Sequence, residues 1–405
     1  MPRIVLPTTN AVDARASTAD GNDSIIMLKL LSLLCFITVV VMQPAAAQIA
    51  TENLSTADMP APSTSHVFVH DMSFAHIIDG RVVMLDARTG KIVSFFSTGY
   101  MGQFALTEDR KTLLASAGYF SRLIRGDRTD VLQVFDLSNH SLKGEILLPP
   151  RRAQALPYRG LMEVSADGKR VYVQNANPGS SVTVVDLPNM KVLGEVGTPG
   201  CWAILPASAG HTRFSTICGD GKVLTVTLDD AGQVVDQQRS TKFFDVDDDP
   251  LFIQGERVDA TYHFISFQGV LHTLNLDAAQ PKILGAQPLM PARGKVSGWR
   301  PGGYQPFAID PHRQRLYMLV HPRGREGSHK AGAREIWGFD LSTRALVQRM
   351  PASGEIALTL TKDPAPLLLT LEMEKQRLNV YDPERKKLVR SIAKAGETST
   401  RLEAR

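Results

Sequence analysis

Short segments in which apolar and polar residues alternate recur along the chain, and seven of them end in aspartate. Alternation with a period of two is typical of strands that pack one face against a neighbouring sheet. The aspartates stand 42 to 63 residues apart, close to the spacing of about 40–50 residues that four-stranded propeller blades produce. The seven segments are residues 82–86, 132–136, 182–186, 224–229, 271–277, 336–340 and 378–382.

Turn signals and further strands complete this repeat. Aspartate followed by short polar residues and glycine favours tight hairpins. Alternating stretches upstream of the second marker, at 102–106 and 112–117, supply the two inner strands of a blade. The first repeat lacks an innermost strand, which residues 398–404 can supply. The sequence therefore predicts an all-β, seven-bladed β-propeller over 66–405, with its ring closed by a C-terminal strand that completes the first blade.

The longest interval between markers contains two insertions, at roughly 289–303 and 322–333. Long loops on a rigid scaffold are where function usually lies. These insertions are therefore candidate functional loops.

The beginning of the chain has the order of a secretory signal peptide: a basic start at Met27–Lys29, an apolar run, and alanines at 45–47. The run has 13 residues, whereas a membrane-spanning helix needs about 20. We expect residues 27–47 to be removed on export and residues 1–26 to be an over-extended start. Residues 48–65, rich in Thr, Ser, Ala and Pro, are expected to be a flexible arm. No membrane association is predicted.

Charge and cysteine content limit the classes of partner. The 45 basic and 41 acidic residues give a net charge of only +4, which does not indicate a nucleic-acid partner. Of the three cysteines, Cys35 would leave with the signal peptide. In an oxidising compartment, Cys201 and Cys218 are expected to form a disulfide; the alternative is two free, buried thiols.

Motifs of known catalytic chemistry are missing from the sequence: it has no Gly-x-Ser-x-Gly, no His-Glu-x-x-His and no glycine-rich phosphate loop. His321 and His329 stand eight residues apart in a glycine-containing loop, and we interpret them as hydrogen-bonded loop residues. The acidic segment 245–249 lacks the glycine and the terminal glutamate of a calcium loop. No metal site is predicted.

An arginine-rich segment, residues 121–130, stands between two predicted strands. It contains Arg122, Arg125 and Arg128 together with two aspartates. Planar guanidinium groups form bidentate pairs with carboxylates, so the segment is either a buried ion-pair network or a docking surface.

Two aromatic segments are also candidates. Trp299 and Arg300 precede a Pro-Gly turn and form either an interface anchor or part of the core. Tyr100 and Met101 stand between two glycines in a connection between blades. Tyr100 either lines a pocket or is a partly exposed packing residue.

The sequence resembles the large (heavy) subunit of the tryptophan tryptophylquinone amine dehydrogenases, and the aromatic (aralkylamine) enzyme more closely than the methylamine one. The similarity extends in register from about residue 67 to 401. The stretches that carry it are residues 121–136, 147–161, 199–206, 215–221, 247–253, 298–305 and 321–337.

This resemblance implies a seven-bladed propeller in the periplasm that is one subunit of an amine dehydrogenase. The quinone cofactor and the catalytic base are then on a separate, cysteine-rich small subunit, so that no catalytic residue is expected in this chain. Two large and two small subunits would assemble. A blue-copper protein of the azurin or amicyanin type would accept the electrons.

Three positions match functional or structural positions of that family. Tyr100, followed by Met101, matches an aromatic position at the substrate channel, and Cys201 and Cys218 match its disulfide. Arg122, Arg125, Arg128, Trp299 and Arg300 are the candidate subunit interface. Two alternative functions are a periplasmic propeller that binds partners without a quinone subunit and, less favoured, a propeller hydrolase with a metal in its tunnel.

Overall fold

The computed structural model describes residue 59, residues 61–291 and residues 297–404. The predicted signal peptide at 27–47, the segment 1–26 and the arm up to residue 58 lie outside this part of the chain. Among the described residues, no helix is long and apolar enough to cross a membrane.

Seven antiparallel sheets form the described part of the chain, as the repeat predicted. The strands of blades 1 to 4 are β1 (His66–Asp71), β2 (Gly80–Asp86), β3 (Ile92–Gly99); β4 (Gln103–Leu106), β5 (Thr112–Arg122), β6 (Arg125–Asp136), β7 (Leu142–Leu148); β8 (Met162–Val164), β9 (Arg170–Asn175), β10 (Ser181–Asp186), β11 (Lys191–Gly197); β12 (Cys201–Pro206), β13 (Arg213–Cys218), β14 (Val223–Leu228) and β15 (Val234–Arg239).

Blades 5 to 7 and the closing strand follow in chain order. They are β16 (Glu256–Val258), β17 (Thr261–Ile265), β18 (Val270–Asn275), β19 (Lys282–Pro288); β20 (Arg300–Pro301), β21 (Phe307–Asp310), β22 (Arg315–His321), β23 (Glu335–Asp340), β24 (Leu346–Pro351); β25 (Ala357–Leu360), β26 (Leu368–Glu372), β27 (Arg377–Asp382), β28 (Lys387–Ala393); and β29 (Ser399–Ala404). Two short 3-10 helices cover Phe74–His76 and Ser328–Lys330.

Each marker segment forms the third strand of its blade, counted outward from the tunnel. In six of the seven segments the aspartate at or just after its end accepts a backbone amide of the following turn, whereas Asp277 accepts from Ser208 of blade 4. Asp86 accepts from the amide of Thr89 at 2.6 Å, and Asp136 accepts from the amide of Ser138 at 2.7 Å. These bonds satisfy backbone donors that a tight turn would otherwise leave unpaired.

The ring closes through the C-terminal strand, which confirms the prediction. Strand β29 pairs with β1 in antiparallel register, from Val67 opposite Ala404 to Asp71 opposite Ser399. Blade 1 therefore takes its innermost strand from the end of the chain and its three outer strands from the beginning. This pairing gives β1 a hydrogen-bonded partner on both edges.

The first insertion divides the innermost edge of blade 6. Strands β20 and β21 both pair with β22, and residues 302–306 run between them. Gly303 has φ +106°, and a Cβ atom there would lie 2.4 Å from the carbonyl oxygen of Ile356. Only glycine fits this approach of blade 6 to blade 7.

The apolar core lies between neighbouring blades. Phe68 and Met84 of blade 1 pack with Phe104 and Leu113 of blade 2 in one buried cluster. Burying each such side chain stabilises the fold by about 1.5–3 kcal/mol. Packing of sheet on sheet around the whole ring fixes the positions of the loops at both ends of the blades.

Candidate functional site

Two segments that the sequence singled out lie at the same end of blade 2. The connection 99–102 leads into β4, and residues 123–124 join β5 to β6. Because adjacent strands are antiparallel, both segments lie at one end of the sheet. We call this end of the propeller the upper face. The hairpins between first and second strands, such as 107–111, lie at the lower face.

Residues 98–102, here the Tyr100 turn, have a restricted backbone. Gly99 and Met101 adopt left-handed φ values of +55° and +48°. A Cβ atom on Gly102 would lie 2.0 Å from the carbonyl oxygen of Thr98, so the turn needs glycine there. The amide of Tyr100 donates to the carbonyl of Gly118 at 3.1 Å.

The ring of Tyr100 meets Phe120 edge to face, with centroids 5.3 Å apart. Both side chains are partly exposed. The pair presents an aromatic wall at the upper face, so Tyr100 packs against a neighbour and also lines the surface. The partly exposed Met101 follows it in the same turn.

The β5–β6 hairpin is longer than the sequence indicated. Strand β5, expected over 112–117, continues to Arg122, and β6 begins at Arg125. The hairpin tip, residues 122–125, carries Leu123 and Ile124, which are 72% and 63% exposed. These two neighbouring apolar side chains stand between basic residues and form a candidate contact surface.

The three predicted arginines separate into two environments. Arg122 and Arg125 are exposed at the hairpin tip. Arg128 instead donates through Nε and Nη2 to the two carboxylate oxygens of buried Asp130, at 2.9 and 2.5 Å. The buried ion pair is therefore present at the hairpin base, while the tip is exposed and stays a candidate docking surface.

Arg152 links the hairpin base to the Tyr100 turn, and the sequence reasoning did not identify it. Its Nη2 donates to the carbonyl oxygen of Tyr100 at 2.8 Å and its Nη1 to that of Met101 at 2.6 Å. Its Nε lies 3.5 Å from a carboxylate oxygen of Asp130. Burial lowers the pKa of Arg152 to about 10, which leaves the guanidinium charged at neutral pH.

Trp299 lies in the connection into blade 6 and Arg300 begins β20, also at the upper face. Trp299 stacks on the fully buried Trp337, with centroids 5.3 Å apart, and the guanidinium of Arg349 lies over both rings. Arg300 donates to the carbonyl of Trp299 at 2.8 Å. Trp299 therefore packs against its own blade.

Cys201 and Cys218 form a disulfide. They stand directly opposite each other on β12 and β13. Both are buried in the cluster between blades 3 and 4.

A cavity of about 660 Å³ opens at the lower face, where the innermost strands meet. Arg159 donates to Glu403 at 2.6 Å and also to Glu256, and Arg401 donates to Glu403 at 3.1 Å. Burial alone would raise the pKa of Glu403, but the charges of Arg159 and Arg401 outweigh it and lower the pKa to about 2. A carboxylate held ionised in this way is a weak proton acceptor, so the network serves stability better than acid–base chemistry.

The remaining candidates differ in position: His321 is the last residue of β22, so its predicted place in a loop is wrong, whereas His329 and the acidic segment 245–249 lie between strands. His321 is buried, and its Nδ1 lies 3.1 Å from the carbonyl oxygen of Pro322. Asp245 pairs with Lys242 at 2.6 Å and accepts two backbone amides from its own segment. Over the described ranges, no three His, Cys, Asp or Glu side chains are grouped so that they could hold a metal ion.

Comparison with known proteins agrees first on the class of fold, a β-propeller. The structure of a periplasmic gluconolactonase from Pseudomonas aeruginosa matches with a TM-score of 0.52, covering 84% of this chain and 98% of that one. The two chains are only 14% identical, so this likeness concerns the fold alone.

The family is defined by sequence. The methylamine dehydrogenase heavy chain (MADH) family matches residues 63–403. The methylamine dehydrogenase heavy chain of Methylophilus methylotrophus is 24% identical over 354 residues, 87% of this chain and 86% of that protein. The heavy chain of Paracoccus versutus is 27% identical over 348 residues, 84% and 79% of the two chains. The chain belongs to the methylamine dehydrogenase heavy chain family, which confirms the resemblance to amine dehydrogenase large subunits.

Proposed function

We propose that this chain is the large, non-catalytic subunit of a periplasmic quinoprotein amine dehydrogenase. The complex would convert a primary amine and water to an aldehyde and ammonia, releasing two protons and two electrons. The observation that carries the proposal is the set of aromatic and apolar side chains exposed at the upper face of blade 2, in a chain that belongs to this family. There an aromatic wall at Tyr100 lies beside an exposed apolar and basic hairpin tip.

A quinone made from two tryptophans of the small subunit would supply the redox chemistry when that subunit is bound. Two of the three tryptophans of this chain suit packing instead: Trp337 is fully buried and Trp299 covers it. The part of this chain would be to bind the small subunit and to select the amine that reaches it.

Docking is assigned to the hairpin tip. Leu123 and Ile124 would enter an apolar pocket of the small subunit, and Arg122 and Arg125 would pair with acidic groups at its rim. Two large and two small subunits would form the complex. A blue-copper protein of the azurin or amicyanin type would accept the electrons one at a time.

Substrate selection is assigned to Tyr100 and Met101. Two aromatic rings that meet edge to face, here at 89°, form an apolar corner against which the ring of an arylalkylamine can pack. This geometry, together with the sequence stretches that resemble the aromatic enzyme, supports an arylalkylamine rather than methylamine as the preferred substrate. The hydroxyl of Tyr100 would tune the preference.

Purification from the native periplasm tests the assembly. The chain should appear in the osmotic-shock fraction, should co-purify with a small cysteine-rich subunit, and should show a visible quinone absorption that added 2-phenylethylamine bleaches. A colourless preparation containing this chain alone would refute the proposal. With the complex in hand, kcat/KM for 2-phenylethylamine should exceed that for methylamine, and the reverse order would refute the aromatic preference.

The docking surface is tested by the double variant Leu123→Ser, Ile124→Ser. Both side chains are exposed, so the melting temperature should stay within about 1 °C of wild type, because surface substitutions rarely change stability. Capture of the small subunit should fall by more than about tenfold. The matched control is Leu388→Ser, Val389→Ser, an exposed apolar pair on β28 of blade 7 that should leave capture unchanged. Equal capture by both variants would place the interface elsewhere.

A further inference from the structure

The side chain of Arg152 joins the two parts of blade 2 that docking and substrate selection would use separately. Two of its nitrogens donate to consecutive carbonyl groups of the Tyr100 turn, at 2.6 and 2.8 Å. Its third nitrogen faces Asp130 at the hairpin base. Arg128 completes the network, because it chelates Asp130 and donates to the carbonyl of Arg152 at 3.1 Å. One planar group therefore connects the turn with the hairpin.

Burial increases the effect of these contacts. The side chain of Arg152 is 1% exposed and that of Asp130 is fully buried. Charge-assisted hydrogen bonds that are shielded from water are stronger than those at the surface. Gly118, on β5, leaves the space that the guanidinium fills: a Cβ atom there would lie 2.6 Å from its Nη2.

The Tyr100 turn requires support of this kind. Its left-handed residue Met101 has a side chain, and such a conformation persists only when the surroundings hold it. The carbonyl of this residue is one of the two that Arg152 binds.

We propose that Arg152 is a positioning residue that fixes the Tyr100 turn against the β5–β6 hairpin, so that a partner bound at the hairpin tip also fixes the channel wall. The docking and channel roles rest on the proposed function, whereas the positioning of the turn does not.

Two variants weaken the contact in different ways. Arg152→Lys keeps the charge opposite Asp130 but replaces the planar fork with a single ammonium group. Gly118→Ala keeps the arginine and displaces the end of its side chain. Gly197→Ala is the matched control, because a Cβ atom there meets nothing within 4 Å.

Hydrogen exchange measured on the full chain tests directly whether Arg152 holds the Tyr100 turn in place. The Tyr100 amide should exchange about tenfold faster in Arg152→Lys and in Gly118→Ala than in wild type, as expected for the loss of a hydrogen bond to a charged group. Amides of β12 and β13 should be unchanged, and Gly197→Ala should behave as wild type. Unchanged exchange at Tyr100 in both variants would overturn the proposal, as would equal acceleration throughout the chain, which would mean a general packing role.

The coupling between partner binding at the hairpin tip and the position of the Tyr100 turn is tested in the assembled complex. Binding of the small subunit should slow exchange at Tyr100 in wild type but not in Arg152→Lys. The variant should raise KM for 2-phenylethylamine about fivefold and leave kcat within about twofold, because the wall contributes to binding rather than to chemistry. Equal protection of Tyr100 in both proteins would overturn the coupling. A wild-type complex without amine oxidation would refute the proposed function, while the exchange result on the free chain would still decide the positioning.

Discussion

Removal of the disulfide between Cys201 and Cys218 should lower the stability of the propeller by a predictable amount. The bridge spans 17 residues, and the chain entropy lost by an unfolded loop of this length corresponds to about 3 kcal/mol. The entropy of unfolding is about 2.1 cal/mol/K per residue, so roughly 345 ordered residues give ~0.7 kcal/mol/K. The double variant Cys201→Ala, Cys218→Ala should therefore melt about 4 °C below wild type.

Calorimetry of both proteins, with and without a reducing agent, is the assay. Reductant should lower the wild-type melting temperature by a similar amount and should leave the variant unchanged. Exchange at the Tyr100 amide should be the same in both proteins, because the disulfide lies in blade 4 and the turn lies at blade 2. Equal melting temperatures would refute the stabilising role of the bridge.

Three further changes test other parts of the structure. The variant Glu403→Gln removes the carboxylate that pairs with Arg159 and Arg401, whose pKa is lowered from 4.5 to about 2 in the folded state. Because the pKa of the folded state is the lower one, these ion pairs stabilise the fold at neutral pH, and this stabilisation is lost as the pH falls from 4.5 to 2. Urea titrations should show wild type losing about 3 kcal/mol more than the variant across this range, and parallel curves would contradict the assigned ion pairs. Gly303→Ala should cost at least about 2 kcal/mol, since its Cβ would overlap the Ile356 carbonyl; thermal melting checks this against Gly298→Ala, where a Cβ meets nothing within 4 Å, and equal melts would contradict it. Trp299→Ala should cost about 2 kcal/mol by uncovering Trp337, with a red shift of tryptophan fluorescence; an unchanged melting temperature would mean that Trp299 serves contact with a partner instead.

The propeller was predictable because its repeat is local. Each repeat has an alternating third strand with an aspartate at or near its end, and in most repeats that aspartate accepts a backbone amide of its own turn, as Asp86 and Asp136 show. Neither the repeat count nor the closing strand required knowledge of distant contacts.

The extension of the β5–β6 hairpin was not predictable from pattern. Its added pairs set Tyr119 opposite Thr129 and Phe120 opposite Arg128, and these residues do not alternate between apolar and polar. Pairing across the hairpin decides its length.

The contacts of Arg152 were not predictable from the sequence for a related reason. Its partners Tyr100 and Met101 stand 52 and 51 residues away in the chain. The ion pair of Arg159 with Glu403 spans 244 residues. Such contacts form only when the ring brings distant strands together, so the local spacing of residues in the sequence does not predict them.

The position of the closing strand in the chain also determines when the ring can close during synthesis. Thr398 donates its amide to a carboxylate oxygen of Asp71, 327 residues earlier in the chain. Contacts between such distant parts of a chain form slowly, since the intervening loop must first be ordered. During synthesis the inner edge of β1 therefore stays unpaired until β29 has emerged, and it is open to aggregation for that time.

Arg401 and Glu403 arrive on that same strand and place their charges beside Arg159. A chain without β29 would leave the partly buried guanidinium of Arg159 with Glu256 as its remaining partner at this site. The closing strand thus couples ring closure to this ion-pair network, because only a chain that includes β29 pairs the inner edge of β1 and gives Arg159 its second carboxylate partner.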